Sequence, residues 1–215
     1  MTQGDKAVNG EPAKERILKA ARKTFAKHSF KAASTRMIAK EAGVDHPLIH
    51  YYFGSKVSLF ETVAEHMSEE THAAQLQWLE GLERERPREG LGLYLDRLLH
   101  YHFENPEVFE VMLQNMAQAG NTSELPGHQY LTSEIERTRN TLIEKLPLKG
   151  SQQNIDKFIY CFTQLCISLI GGRQNQALLL EMDPMDMEYK AWVKDALMTI
   201  FAPWIERLIF PDTSI

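Results

Sequence analysis

The side chains best suited to binding another macromolecule cluster between residues 34 and 56. Threonine, arginine, histidine, tyrosine and lysine all occur there, and their polar groups can form hydrogen bonds with phosphate oxygens and base edges. A proline among them could contact a thymine methyl group. The candidates for contact with nucleic acid are Thr35, Arg36, His46, Pro47, Leu48, His50, Tyr51, Tyr52 and Lys56.

Two short helices joined by a turn are predicted to position these side chains. The Ser34 hydroxyl can accept a hydrogen bond from a free amide at a helix start, so Ser34 is a candidate N-cap. Apolar residues Ile38 and Ala42 are four apart, which predicts a helix over residues 35–42 with one buried face. Gly43 then ends this helix, because glycine adopts the left-handed conformation without a steric cost from Cβ.

A second helix is predicted over roughly residues 46–53. Asp45 is a candidate N-cap for it, and a proline is tolerated in its first turn. Ile49 and Phe53 lie four apart and are assigned to the core, so the polar and aromatic residues between them face elsewhere. Ser55 can cap a third helix. Helix, glycine-containing turn and short polar-aromatic helix together describe a helix-turn-helix.

Charge is distributed unevenly along the chain. The net charge of the 215 residues is −5, yet residues 11–60 contain ten lysines and arginines against four acidic residues. A basic N-terminal quarter on an acidic body is expected when one end of a protein binds phosphate. The alternative is a solvated helix face, but the overlap with the helix-turn-helix favours DNA.

A series of residues from Glu15 to Phe60 also keeps a family-specific order and spacing. Its members are Arg16, Ile17, Leu18, Ala20, Ala21, Phe25, Ala26, Ile38, Ala39, Ala42, Gly43, Val44, Tyr52, Phe53, Ser55, Lys56, Leu59 and Phe60. In this segment, about a quarter of the chain, the sequence resembles the DNA-binding domain of the TetR family of bacterial transcriptional regulators.

The resemblance implies a function and roles for particular residues. Members of this family typically repress transcription as homodimers on palindromic operators, and a small-molecule effector in the C-terminal domain releases them. Tyr52 and Lys56 match positions that bind the DNA backbone in TetR-like proteins, although a core aromatic is an equal alternative for Tyr52. Pro47 and His50 depart from the family, which more often has a small residue and a tyrosine there.

The rest of the sequence predicts helices and no strands, so the fold class is all-α. A long helix from Ser55 to about residue 85 would join the DNA-binding domain to a larger C-terminal domain. Further helices are predicted over roughly 88–104, 106–119, 128–146, 152–181 and 186–209, with a loop at 120–127. The predicted division is a disordered tail 1–11, a DNA-binding domain 12–60, and a regulatory and dimerisation domain 61–215.

Two functions are predicted for the C-terminal helices. The last two helices are apolar on more than one side, which favours a dimer interface over a monomer core alone; the candidates are Phe158, Phe162, Leu165, Leu169, Trp192, Ile200 and Trp204. Methionine and aromatic side chains suit the wall of a ligand pocket, although plain core is the more frequent use of such residues. The pocket candidates are Met67, Tyr94, Phe103, Met112 and Met116.

Other classes of function receive no support. The chain has no Ser/His/Asp order, HExxH motif or glycine-rich phosphate loop, so no enzyme activity or cofactor is predicted. His100 and His102 are two apart on a helix and face different directions, so no metal site is predicted. No apolar secretory segment begins the chain, which is expected to act in the cytoplasm.

The predicted function is therefore a repressor that binds operator DNA as a homodimer and responds to a small molecule. Activation of transcription and regulation without a ligand are alternatives. A third is a helical ligand-binding or scaffold protein whose basic head binds a protein partner.

Overall fold

The computed structural model describes residues 11–116 and 126–210, and all the regular structure in these ranges is helical. The helices are α1 (Ala13–Lys27), α2 (Thr35–Ala42), α3 (His46–Phe53), α4 (Lys56–Leu79), α5 (Pro87–Glu104), α6 (Glu107–Met116), α7 (Pro126–Lys145), α8 (Gln152–Cys166), α9 (Arg173–Leu179) and α10 (Met187–Ile209). The all-α prediction is confirmed. Apart from Glu11, the predicted tail lies outside the described residues, as does most of the predicted loop at 120–127.

The chain packs as two compact units. The first comprises the described residues up to Glu69 together with those between Glu107 and Thr132, and the second comprises Glu70–Pro106 together with the described residues from Ser133 onward. Packing therefore divides the chain differently from the predicted domains 12–60 and 61–215, which were drawn from the motif. Helix α6 belongs to the first unit, where the Asn115 side-chain oxygen accepts a hydrogen bond from the Phe30 amide at 3.4 Å.

Aromatic rings form the centre of the first unit. The Phe25 and Phe60 rings meet edge to face at 4.9 Å, and Phe30 contacts Phe60 in the same way at 5.2 Å. Ile38 and Ile49 are fully buried and fix α2 and α3 on this core. The predicted core positions of the helix-turn-helix are therefore confirmed, and they leave the remaining side chains of α2 and α3 nearer the surface.

The long helix predicted from Ser55 to about residue 85 is shorter in the structure, and it ends beside Gly81, one of the two residues, with Pro87, predicted to weaken or end it. Helix α4 ends at Leu79, and a 3₁₀ turn over Leu82–Arg84 follows Gly81. Gly81 has φ +80°, a left-handed conformation that an ordinary helical residue cannot share. The helix is thus interrupted before Pro87, where α5 begins.

The helix predicted over 152–181 is not continuous, and of the two roles predicted for Gly171 and Gly172, close helix approach or a kink, the structure shows the kink. A π-helical turn at Ile167–Gly171 interrupts the helix, and α9 runs at 76° to the segment before Gly172. Two adjacent glycines and a π-bulge are known causes of such kinks. Over the described part of the chain no one helix has the length and apolarity to span a bilayer; this bent pair satisfies both criteria only when its two halves are combined.

The second unit is built on α5, α8 and α10. The Phe162 ring meets Phe201 edge to face at 5.1 Å, and Phe158 meets Phe201 at 5.6 Å. Phe158 and Phe162 are only 4% exposed, so their prediction as dimer-interface residues is corrected: they fill the core of this unit. The other candidates remain accessible. Leu165, Leu169, Trp192 and Trp204 are half-buried, and Ile200 is 48% exposed.

Candidate nucleic-acid interface

Helix α2 has the ends that the sequence predicts. The Ser34 hydroxyl oxygen accepts a hydrogen bond from the Met37 amide at 3.2 Å. At the other end Gly43 is left-handed, with φ 61°, and its amide donates to the Ala39 and Lys40 carbonyl oxygens. Both capping predictions are confirmed, and they set the short turn between α2 and α3.

The side-chain cap predicted for the next helix was wrong. Asp45 occupies the N-cap position of α3, but its side chain makes no capping hydrogen bond. An N-cap side chain usually accepts from the amide of the second or third residue of the helix. In α3 the second residue is Pro47, which has no amide proton. The third is Leu48, whose amide already donates to the Asp45 backbone carbonyl at 2.9 Å. The donors that a capping carboxylate needs are therefore absent or occupied.

One face of α3 is exposed. Ile49 and Phe53 are buried, whereas Pro47, His50 and Tyr51 lie at the surface, with Tyr51 78% exposed. Their spacing of three and four residues places them on one side of the helix. Arg36 on α2 is exposed as well, while Thr35, His46, Leu48, Tyr52 and Lys56 are half-buried.

A side-chain hydrogen bond joins the two helices of the motif. The Thr35 hydroxyl lies 2.9 Å from His46 Nε2. A hydroxyl both donates and accepts, so this bond leaves Thr35 with capacity for a second partner. His46 also contacts His50, whose ring centroid lies 5.2 Å away in an edge-to-face arrangement.

His50 is fixed at the end of α3 by two hydrogen bonds with Gly54. The Gly54 amide donates to the His50 carbonyl at 2.9 Å, and His50 Nδ1 lies 3.0 Å from the Gly54 carbonyl oxygen. Gly54 has φ 73°, which favours glycine. This role of Gly54 was not predicted, although a glycine directly after the last apolar position of a helix is a recognised stop signal.

Tyrosine side chains lie beside this histidine. The Tyr51 and Tyr52 rings meet edge to face at 5.0 Å, and Tyr52 also lies 6.4 Å from the Phe53 ring. Tyr52 is thus partly packed against the core and partly accessible, which is compatible with both of its predicted roles.

Lys56 bonds to its own protein. Its ammonium donates to the Phe30 carbonyl at 2.8 Å and to the Ala33 carbonyl at 3.0 Å, and it lies 4.5 Å from the centre of the Phe30 ring. Burial lowers the pKa of this ammonium group. An ammonium has three N–H groups, so these bonds leave one for a phosphate oxygen. Ser55 caps α4 as predicted, since its Oγ accepts from the Ser58 amide at 3.0 Å.

A cavity of about 240 Å³ lies within the second unit. Its wall is largely apolar and includes Leu79, Leu91, Tyr94, Leu146, Phe162 and Ile205, while the charged residues that line it are exposed. Of the five predicted pocket residues, Tyr94 alone lines this cavity.

The other four predicted pocket residues have different surroundings. Met67 and Met112 are buried in the first unit, and Met116 is half-buried there. Phe103 in the second unit lies 5.7 Å from the Arg173 guanidinium and 5.6 Å from the Lys190 ammonium.

A family model matches the helix-turn-helix, and known proteins match most of the chain. Residues 17–63 match the family described as bacterial regulatory proteins, tetR family. The HTH-type transcriptional repressor NicS of Pseudomonas putida is 26% identical over 192 residues, which cover 87% of this chain and 90% of NicS. The helix-turn-helix segment is thus similar to the TetR family, and most of the chain is similar to the repressor NicS.

Two further comparisons extend these similarities. The HTH-type transcriptional repressor SCO4008 of Streptomyces coelicolor is 32% identical over 120 residues, or 56% of this chain and 57% of that protein. A TetR-like transcriptional regulator from Rhodococcus sp. RHA1 has the same fold, with a TM-score of 0.61, 18% identity, and coverage of 91% of this chain and 94% of that one. The TetR resemblance found in the sequence is confirmed.

Proposed function

We propose that this protein is a TetR-family transcriptional repressor that binds double-stranded operator DNA in the cytoplasm. The observation that carries the proposal is the exposed face of α3, formed by Pro47, His50 and Tyr51 over buried Ile49 and Phe53. A rigid helix with a polar and aromatic face after a short turn suits insertion into the major groove.

Contacts with the DNA backbone are assigned to residues beside this helix. Thr35, Tyr52 and Lys56 bind phosphate, and Arg36 reaches the groove from the front of α2. Base contacts are assigned to His46, Pro47, Leu48, His50 and Tyr51. The assignment separates phosphate contacts, which give affinity, from base contacts, which give specificity.

The protein acts as a homodimer. Paired helix-turn-helix units bind half-sites about one turn, roughly 34 Å, apart or a multiple of it. Half-buried and exposed apolar residues of the C-terminal helices, Leu165, Leu169, Trp192, Ile200 and Trp204, support a surface for a second copy. The two relatives named above are both repressors, which favours repression over activation.

A small-molecule effector is assigned to the cavity in the second unit. Pockets for small molecules are typically lined by apolar and aromatic side chains, and this cavity has such a wall. Helix α4 begins at Lys56 in the DNA-binding motif and ends at Leu79 in the cavity wall. An effector that prefers the non-binding conformation by about 1–3 kcal/mol would weaken DNA binding.

The experiment is selection of binding sites from fragments of the protein's own genome, followed by footprinting. The expected result is a discrete palindromic site with two protected half-sites. Replacing both half-sites with scrambled sequence of the same composition is the control. If the protein retains no fragment above the scrambled background, the proposal is wrong and the alternative of a protein-binding basic head is favoured.

A further inference from the structure

His50 differs from the other polar residues of α3 because its ring is tied to an atom that can only accept. A backbone carbonyl oxygen has no proton to give, so His50 Nδ1, at 3.0 Å from the Gly54 carbonyl oxygen, must be the donor. The neutral imidazole carries one N–H, and the hydrogen bond made by one ring nitrogen fixes the state of the other. Neutral His50 therefore carries its proton on Nδ1 and presents a lone pair on Nε2.

The Nε2 atom is available to a ligand. His50 is exposed, and no hydrogen bond to this atom occurs among the described residues. In His46, by contrast, Nε2 is occupied by the Thr35 hydroxyl at 2.9 Å. Of the two imidazoles on α3, His50 is thus the one whose Nε2 faces outward without a protein partner in the described ranges.

Protonation changes what Nε2 can recognise without disturbing the bond to Gly54. In the neutral ring Nε2 accepts, which suits the amino group of adenine N6 or cytosine N4 in the major groove. In the protonated ring both nitrogens donate, and Nε2 then suits an acceptor such as guanine N7 or O6 or thymine O4. Nδ1 donates to the Gly54 carbonyl in either state, so the ring keeps its position.

We infer that His50 is a specificity-determining residue whose preferred base at one operator position depends on its protonation state. The inference rests on the proposed function, because it requires α3 to lie in the major groove. It assigns adenine or cytosine to that position when His50 is neutral, and guanine or thymine, whose major-groove edges present acceptors, when it is protonated.

Charged neighbours must be considered in any pH experiment. The His46 ring lies in direct contact with His50. Helix α2, which packs on α3, carries Arg36, Lys40 and Glu41, and α4 begins with Lys56. No ion pair joins His50 to any of them in the part of the chain that the structure describes. Base preference at one position is therefore a better measure than total affinity, which all of these groups affect.

The first test measures the tautomer in the protein without DNA. Nitrogen-15 NMR of histidine-labelled protein at about pH 8, where a free imidazole is largely neutral, distinguishes a proton on Nδ1 from one on Nε2. The expected result for His50, assigned by comparison with His50→Gln, is protonated Nδ1 and bare Nε2. A proton on Nε2 overturns the inference whether or not the protein binds DNA.

The second test is site selection from a randomised operator at about pH 6 and pH 8, a range in which imidazoles titrate. One position per half-site is expected to change from adenine or cytosine at the higher pH to guanine or thymine at the lower. The relative affinities there should change by roughly tenfold, the value of about one hydrogen bond. His50→Gln should abolish this change, and His66→Gln, at an exposed residue of α4, should retain it.

The outcomes separate this inference from the proposed function. Operator binding at both pH values with an unchanged base preference overturns the inference alone, and so does a change that persists in His50→Gln. Absence of sequence-specific binding at both pH values overturns the proposed function.

Discussion

The ammonium nitrogen of Lys56 lies 2.8 Å from the carbonyl oxygen of Phe30, 26 residues earlier in the chain. A second bond, to the Ala33 carbonyl at 3.0 Å, and the contact with the Phe30 ring complete the arrangement. The first residue of α4 is thereby tied to the end of the segment that leads into α2. Lys56 therefore has a structural role beside its proposed contact with phosphate.

Lys56→Met should affect both stability and DNA binding. Loss of two hydrogen bonds from a charged donor is expected to lower the free energy of unfolding by about 1–3 kcal/mol. Loss of one phosphate contact should weaken binding to all sequences alike. It should also reduce the slope of log affinity against log salt concentration by about 0.9 for each DNA-binding domain. Thermal unfolding and salt titration measure the two effects.

Lys157→Met, at an exposed position of α8, is the control for the change in net charge. It should leave both quantities nearly unchanged. An altered preference among operators in Lys56→Met, with non-specific affinity intact, would show that the phosphate assignment is wrong.

Gly54→Ala should destabilise the protein although there is space for a methyl group. No atom lies within 4 Å of an added Cβ, but φ is +73°. A left-handed conformation costs an ordinary residue roughly 1–2 kcal/mol. Because Gly54 also holds the His50 ring, operator affinity should fall more than non-specific affinity, as competition binding would measure.

The matched control is Gly92→Ala in α5, where the substitution is expected to raise stability instead of lowering it. An added Cβ there would lie 3.8 Å from the end of the Met198 side chain, an ordinary contact. Alanine is favoured over glycine within a helix by up to about 1 kcal/mol, so this variant should be more stable. Equal effects of the two substitutions on the melting temperature would contradict the backbone explanation.

His102 should make the protein less stable in acid. Its ring is 1% exposed and packs 5.7 Å from the Trp78 ring, and burial lowers its pKa to about 3. The folded state thus keeps His102 neutral while the unfolded chain takes up a proton below about pH 6.5, so stability is lost as the pH falls. From pH 7 to pH 5 the loss attributable to His102 is about 2 kcal/mol.

His102→Gln should remove this part of the pH dependence, whatever its effect on stability at neutral pH. His100→Gln, at the exposed neighbour, should retain the dependence. Urea unfolding at pH 5, 6 and 7 gives the slope of the free energy of unfolding against pH for each protein. Parallel slopes for wild type and His102→Gln would exclude the proposed burial of a neutral ring.

Leu146→Phe should interfere with an effector in the cavity. Leu146 is half-buried and lines a volume of about 240 Å³, so the larger ring can occupy part of that space. A compound that raises the melting temperature of the wild type and releases operator DNA should do neither to the variant. Leu148→Phe is the control, because Leu148 is equally half-buried but does not line the cavity. An effector that acts equally on both variants binds elsewhere.

Local signals in the sequence predicted the helix-turn-helix well. Ser34, Gly43 and Ser55 act through bonds within their own turns, and Ile38 and Ile49 follow helical spacing, so each could be assigned from its neighbours. Asp45 failed as a cap because its usual donors were removed by a proline and by a backbone bond. The competition between the backbone and side-chain oxygens of Asp45 for the Leu48 amide is visible only in the structure of the turn.

Contacts between distant segments could not be predicted in this way. The bonds from Lys56 to Phe30 and Ala33 join residues more than twenty apart. The assignment of Phe158 and Phe162 failed for the same reason: an apolar helix face predicts burial, but not whether the partner is Phe201 of the same chain or a second protomer. Met67 and Met112 were likewise core residues whose neighbours the sequence does not specify.

The central claim is that the basic N-terminal segment binds DNA through phosphate contacts. The most direct test is the affinity for the selected operator as a function of salt concentration. A dimer that makes about six phosphate contacts should lose roughly a thousandfold in affinity between about 50 mM and 200 mM salt. An affinity that stays constant over this range would contradict the account.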